Sequence, residues 1–394
     1  MNTQLLWWLF GAAAAALFTT LLLVCVKLIH RLYLRWQGVR TAQYIGVLGE
    51  LISRELLPVH PPQDWAHDAL FHDALVEYRL MLVGSERGFV DRLVGHLGVL
   101  DVLRERIRHR FSASRRLRSV ATFVDLATPA CTEDLRALLA DRNLHIAIHA
   151  AKGLSRLRDV SSVPAILDRS VDAPPWHAAR LADSLAEFGP EVGPPTRAWI
   201  EHAIANDDPP VQTVALAVRV LGLVADVEAE PLLLRLLNSD LPEWRVVAAT
   251  ALGRAGGHDA VVGLVAAIDD NDGAVRARSA VALGQLGDPT AAAHLRPVLK
   301  DPVWWVRQNA AEAIGELRGG TSVLVDALSD EDPYAVEAAL YVLTMNGAIA
   351  SAAQRSRQGN PSVVDIDLLA FVGNLPSANR LAPAISDAVE PVAP

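Results

Sequence analysis

The sequence predicts an all-α protein: a right-handed α-solenoid of about eight helical hairpins, preceded by one N-terminal transmembrane helix. Three observations predict it. Gly222, Gly253, Gly284 and Gly315 follow one another at a single constant step, and Arg245, Arg276 and Arg307 keep the same step, each eight positions before its glycine. Self-similarity at a fixed period of this size marks stacked supersecondary units. Within a unit the apolar positions follow a helical stripe rather than a strand alternation, as in Val275, Ala280, Leu283 and Leu286. Leu5 to Ile29 is apolar apart from Thr19, Thr20 and Lys27, and about 20 apolar residues span a bilayer core.

The first element, residues 1–29, reads as a membrane anchor. Trp7 and Trp8 stand at one end and Tyr33 and Trp36 beyond the other, as aromatic belts do at the two interfaces. Lys27 lies near the end of the run, where its stem can snorkel to the interface. A cleaved signal peptide would carry a basic start and a shorter apolar core. Here no basic residue precedes the run, and it continues well past Ala12–Ala16. Lys27, Arg31, Arg35 and Arg40 follow the span, so the positive-inside rule places the N-terminus outside and the solenoid in the cytoplasm.

Residues 30–112 form a basic juxtamembrane and capping region, with helices expected over Asp64–Leu82 and Gly88–Arg110. The repeats occupy 113–345. Counting back from Gly253, equivalent positions fall at Gly222, Ala186, Ser155 and Val124. Counting forward they fall at Gly284, Gly315 and, one residue short, Met345. The one longer step is assigned to a loop insertion at Gly189–Pro195. In the best-formed unit the first helix is expected over Ala260–Ile268. Turns carry Asp, Asn, Gly and Pro, as in Asp269–Gly273 and Asp330–Pro333, residues that start and stop helices. Small residues (Ala248, Ser279 and Ala310 in one column) allow neighbouring second helices to approach closely. Residues 346–394 are a C-terminal cap and tail, with helix candidates Asp365–Val372 and Asn379–Val389.

The segments Trp244–Gly253, Val275–Gly284 and Val306–Gly315 follow the pattern Val-Arg-x-x-Ala-Ala-x-Ala-Leu-Gly with one departure each, Trp244, Ser279 and Ile314. That pattern resembles the short HEAT-type repeat named after phycobiliprotein lyases. The resemblance covers roughly 113–345 and is strongest over 240–318. Ala147 and Ala178 replace the motif arginine in early repeats, and Arg116 restores it. The resemblance implies stacked helical hairpins and is nearly silent on function, since the family includes scaffolds, chromophore-lyase subunits and DNA-binding relatives.

Charge narrows the choice. Residues 27–118 hold 15 Lys and Arg against 10 Asp and Glu, a balance of +5, which leaves −14 for the rest of a chain of net charge −9. An acidic solenoid argues against nucleic acid as the partner. Two cysteines, Cys25 and Cys131, make no disulfide framework or zinc spacing. His145 and His149 have helical i, i+4 spacing, but no third ligand completes a metal site. His67-Asp68 and His72-Asp73 do not share a helix face well. No Walker loop, nucleophile elbow or zincin motif occurs, so no catalytic residue, cofactor or metal is expected.

The expected function is a membrane-anchored protein–protein interaction scaffold. The alternative is a HEAT-like enzyme or enzyme subunit, of chromophore-lyase or base-excision type. Candidate partner-binding residues are Trp176, Trp304, Trp305, Arg278 and Arg307, since Trp and Arg dominate interface hot spots. The arginine ladder Arg245, Arg276 and Arg307 has a polyanion as one conceivable ligand, but the favoured role is structural, bidentate pairing with turn aspartates such as Asp240, Asp270 or Asp301. The basic run Arg104–Arg118 reads as a solvated helical linker, with anionic lipid as the other possibility.

Overall fold

A computed structural model describes residues 3–62, 64–108, 112–171, 173–206 and 209–375, with side chains from residue 19 onward. All regular elements among them are helical. By internal packing the chain divides into two units, Met1–Gly153 and Leu154–Pro394.

The first unit opens with α1 (Thr3–Ser53), an unbroken helix of 51 residues, about 77 Å long at 1.5 Å per residue. Its sequence changes character along its length, and its surroundings change with it. Every residue from 19 to 36 is exposed, including Leu21, Leu22, Leu23, Val24, Leu28 and Ile29. Then Tyr44, Leu48 and Ile52, four apart, turn one face inward and are buried, the spacing of a one-sided helix. That face packs against α2 (Ala69–Met81). Tyr44 meets the Phe71 ring edge-on at 5.2 Å and donates to Asp68 Oδ2 at 2.7 Å. Tyr78 donates to the Ile45 carbonyl at 2.8 Å.

Next come α3 (Gly84–His96) and α4 (Val99–Arg108), then α5 (Ala113–Leu126), α6 (Thr132–Leu139) and α7 (Leu144–Arg156), inside which the division falls. Three helices, α2 to α4, therefore stand where two or three were expected, and the second expected stretch, Gly88–Arg110, is divided between α3 and α4. Gly84 and Gly98 adopt φ of +62° and +63°, at the start of α3 and between α3 and α4, a conformation that glycine reaches without strain. Arg79 is buried and fully used: it donates to Asp91 at 2.7 Å and to the carbonyls of Asp125 and Ala127 at 2.6 and 2.8 Å.

The second unit alternates first and second helices: α8 (Val163–Ser170), α9 (Pro175–Ala186), α10 (Gly193–Ile204), α11 (Val211–Leu223), α12 (Glu230–Leu237), α13 (Pro242–Ala255), α14 (His258–Ala267), α15 (Gly273–Leu286), α16 (Ala291–Leu295), α17 (Trp304–Glu316), α18 (Gly320–Ala327) and α19 (Pro333–Met345). Two further helices, α20 (Ala348–Arg357) and α21 (Val363–Asn374), close the array. Ser362 and Asp365 form a reciprocal capping box at the start of α21. The expected helix Asn379–Val389 lies outside the described residues.

The period is visible in the starts of the second helices. From α5 onward they begin at 113, 144, 175, 211, 242, 273, 304 and 333. Two details differ from expectation. Gly189–Val192 is not an inserted loop. It is a short 3-10 turn of the kind that also precedes α8 and α12, and the extra length sits in α10, 12 residues against 8 in those neighbours. The last step, from α17 to α19, is two positions shorter than the one before it, so the residue equivalent to Gly315 is Thr344 and not Met345.

The repeated glycines are packing residues. A Cβ on Gly222 would lie 2.9 Å from Ala251 Cα, on Gly253 2.8 Å from Ala282 Cα, and on Gly284 2.9 Å from Ala313 Cα. Each of these alanines lies on the next second helix, two positions before that helix's own glycine. Backbone therefore touches backbone, placing the axes toward the close end of the usual range of about 8–10 Å. Buried Ala248, Ala280, Ala310, Leu252, Leu283 and Ile314 fill the core beside these contacts.

Candidate interaction surface

The array leaves one stripe of each second helix open. At 100° per residue the glycine, twelfth in its helix, faces the next helix at about 120°, and the alanine it meets, tenth in its own, faces back at about 280°. Residues second, sixth, ninth and thirteenth fall between, at about 180–240°. These form the exposed ridge. On α11, α13 and α15 it carries Arg219, Arg254 and Arg278, with Glu243 at the start of α13; on α17 it carries Trp305, Glu312 and Glu316. On α19 it carries Tyr334, Tyr341 and Met345, with Glu337 just beside them; all are exposed.

The arginines at 245 and 276 have a structural task. Arg245 binds Asp270 through Nε and Nη2, both at 2.8 Å, and its Nη1 reaches the carbonyls of Ser239 and Asp240. Arg276 repeats this with Asp301 at 2.6 and 3.0 Å and with the carbonyls of Asp270 and Asn271. Each arginine thus ties its own turn to the next. Arg116 pairs with Asp141 at the same interval in the first unit. The carboxylates are pre-oriented, since Asp270 and Asp301 also accept from the amides of Asp272 and Val303 at 2.8 Å. Burial pushes the Asp270 carboxyl up, but hydrogen bonds from Arg245 and from the Asp272 amide outweigh it and hold the group below the usual carboxylate range.

The third arginine departs from the pattern. The carboxylate occupying the rung position is Asp330, which accepts from the Asp332 amide at 3.0 Å, yet it pairs with Arg296 at 2.9 Å and Lys300 at 2.8 Å. Arg307 keeps its own turn, donating to the carbonyls of Asp301 and Pro302. Its guanidinium then lies over the Tyr334 ring, 4.5 Å from the centroid. Trp304 and Trp305 stand beside it, edge to face at 6.0 Å, and are 65% and 46% exposed. Tyr334 is 56% exposed and occupies the same helix position as Trp305.

The other candidates fall elsewhere. Trp176 is half exposed at the start of α9, its ring against that of His177 and tilted from it by 32°. Arg278 lies on the ridge. Tyr33 and Trp36 stack at 6.1 Å on the exposed part of α1, with Lys27, Arg31 and Arg35 exposed around them. Trp7 and Trp8 lie outside the residues whose side chains are described. Arg104–Arg118 is not a solvated linker: Leu103, Ile107, Val120 and Phe123 are buried, and α4 packs on α5. Arg104 pairs with Asp101 and Asp134, Arg106 donates to the His67 carbonyl, and Arg110 lies outside the described residues. His72 is buried, with Nε2 2.9 Å from the Ala66 carbonyl oxygen. Among the described residues no group of three or more His, Cys, Asp or Glu could hold a metal ion, and no single helix is long and apolar enough to cross a membrane. Most of the expected span, residues 5–18, lies outside the side chains described.

Tyr334 was not singled out from sequence. The signal was present in the Asp-x-Asp-Pro turn before it, where Asp332 caps α19 by accepting from the Tyr334 amide. Aligning on the helix start instead of the terminal glycine would have placed it beside Trp305.

No curated protein matches the sequence closely enough to count. Among solved structures, a Kap121p mutant is 12% identical with a TM-score of 0.53, covering 83% of this chain and 40% of its own. Kap95p with RanGDP is 12% identical with a TM-score of 0.52, covering 82% of this chain and 53% of its own. The chain thus spans about half the length of these proteins or less, and at this identity the likeness shows the fold alone. A phycocyanin lyase complex of CpcE and CpcF from Nostoc sp. is 17% identical over 62% of this chain and 94% of that one, with a TM-score of 0.30 too low to carry an argument. The family model for HEAT repeats matches residues 196–283 and 261–344, the stretch that holds the glycine contacts and two arginine rungs. Residues 196–344 are thus similar to a run of HEAT repeats.

Proposed function

We propose that the protein is a membrane-anchored scaffold whose second-helix ridge holds a protein partner on the cytoplasmic side. The observation that carries the binding role is the ridge itself: an open strip crossing α11–α19 in which large aromatics and charged side chains stand exposed. Trp, Tyr and Arg are the side chains that anchor interfaces, and stacked repeats present such strips as extended surfaces. The comparison with Kap95p, solved with RanGDP, supports a protein as the occupant of a surface of this kind. Stoichiometric co-purification of a partner from mild detergent, lost in Trp305→Ala with Tyr334→Ala, is the expected result. Recovery of the protein alone under all mild conditions refutes the scaffold.

The anchor rests on α1. The run Leu5–Ile29 has bilayer length, and its described part, Leu21–Ile29, is exposed on every side although apolar apart from Lys27. Arg31, Arg35 and Arg40 follow it and favour the cytoplasm for the rest. The protein should resist extraction from membranes by alkaline carbonate, and a reporter fused after Pro394 should be active only if it works in the cytoplasm. Release by carbonate removes the anchor, and a reporter active only outside reverses the orientation.

A further inference from the structure

The ridge is chemically polar along its length. On α11, α13 and α15 its charges are Arg219, Arg254 and Arg278 with the single carboxylate Glu243; on α17 they are Glu312 and Glu316, with Glu337 beside the ridge on α19. The change falls between α15 and α17, one step before the shortened one, and it is on α17 that Arg307 leaves the rung pattern for Tyr334. The acidic end is also the aromatic end, with Trp305, Tyr334 and Tyr341 exposed together with the carboxylates.

We infer that the α17–α19 end of the ridge takes a basic peptide segment of the partner, one that places Arg or Lys side chains between aromatic rings and carboxylates. The inference rests on the scaffold reading above. Three features favour a basic occupant. Glu316 and Glu337 have no cation partner among the described residues, so an incoming cation gains a charge without displacing one. The Tyr334 ring already receives the Arg307 guanidinium on one face at 4.5 Å, which shows that its surroundings accept a cation over the ring. Exposed rings beside carboxylates attract cations through both the ring quadrupole and the charge. Glu316 reaches back over its neighbour, its Oε2 3.3 Å from where a Cβ on Gly284 would stand. The acidic strip therefore continues from α17 toward α15. An acidic segment would find its cations at the other end, on Arg219, Arg254 and Arg278.

The test uses the full-length protein in detergent micelles and two labelled nine-residue peptides, one alternating Arg and Ser and one alternating Glu and Ser, followed by anisotropy at physiological salt. The Arg–Ser peptide should bind and the Glu–Ser peptide should bind more weakly or not at all. Trp305→Ala with Tyr334→Ala should weaken the Arg–Ser peptide by at least about tenfold, and Glu316→Gln with Glu337→Gln should also weaken it. Asp259→Asn with Asp326→Asn removes the same charge from first helices α14 and α18 and should leave binding unchanged, which separates the site from bulk charge. All these side chains are exposed, so an unchanged thermal transition is expected for each variant. Equal binding by ridge variants and wild type, or preference for the Glu–Ser peptide, overturns the inference. If a natural partner still co-purifies with the ridge variants, the basic-segment site falls while the scaffold stands; if no partner co-purifies with wild type, the scaffold falls.

Discussion

At the scale of the residue, one arginine performs the joining that a repeat protein needs at every unit. Arg276 satisfies two carbonyls of its own turn and the carboxylate of the next, with 14% of its side chain exposed and 7% of Asp301's. Removing it leaves a nearly buried carboxylate without its cation, so Arg276→Ala should cost about 2–3 kcal/mol. Arg276→Lys should recover less than half, because an ammonium cannot bind both oxygens in the plane. Arg307→Ala should cost less than about 1 kcal/mol, since its partner ring is exposed and no carboxylate depends on it. Urea midpoints order the three, and an Arg307→Ala variant as unstable as Arg276→Ala would refute the division of labour. Ser279 makes the opposite case. It is fully buried in the column of small residues, and among the described residues its Oγ has no hydrogen-bond partner. Ser279→Ala should therefore stabilise the protein by about 1 kcal/mol, whereas a loss of that size would mean the hydroxyl has a partner. The rungs were legible from spacing because the sequence repeats both their ends. The Arg307–Tyr334 contact was not, because it depends on a small shortening hidden inside a turn.

At the scale of the element, the spacing of second helices is set by what the glycine and alanine columns leave out. For Gly253 and Gly284 the obstructing atoms include the Cα of Ala282 and Ala313. Backbone cannot swing aside, so a methyl group must push whole helices apart. Gly253→Ala and Gly284→Ala should each cost about 1–3 kcal/mol despite the better helix propensity of alanine. At Gly315 the nearest atom is the side-chain Cγ1 of Val342 at 2.7 Å, which can rotate, and Gly315→Ala should cost less. Equal effects at the three sites, by denaturant titration, would show that backbone approach does not set the spacing. The sequence announced these glycines through their period, and their position near the ends of second helices followed from it. It misled at Gly189–Pro195, where composition suggested an inserted loop. Glycine and proline there serve an ordinary 3-10 turn and the first turn of α10, where proline lacks only a donor that would go unused. The true extension, within α10, is ordinary helical sequence and carries no punctuation. Along α1 the sequence foretold the apolar stretch, but not that the same helix would run on without a break and turn one face to α2.

At the scale of the whole molecule, the two units hold their titrating groups in different ways, so acid should weaken them in different ranges. In the first unit His72 is buried, and that burial lowers its affinity for a proton against the opposing pull of the Ala66 carbonyl. Its folded pKa lies below the unfolded value of about 6.5. The stabilisation from keeping it neutral is fully present above that value and is lost as the pH falls through it. In the second unit the depressed groups are carboxylates: Asp330, held down first by Lys300 and then by the Asp332 amide, Asp365, held by Arg355, and Asp270. Their stabilisation is present above an unfolded pKa of about 3.9 and is lost only below it. Each joins neighbouring turns or helices, and in a repeat array such joints are the terms that sum to the stability. Lowering the pH from 7.5 to 5.5 should therefore reduce hydrogen-exchange protection, corrected for intrinsic rate, in α2 while leaving α13–α19 unchanged. A further fall to 3.5 should weaken α13–α19 as well. His72→Gln should remove the first loss and Asp330→Asn should diminish the second. If the amides of α13–α19 lose protection before those of α2, or if acidification strengthens either unit, the assignment of these groups is wrong.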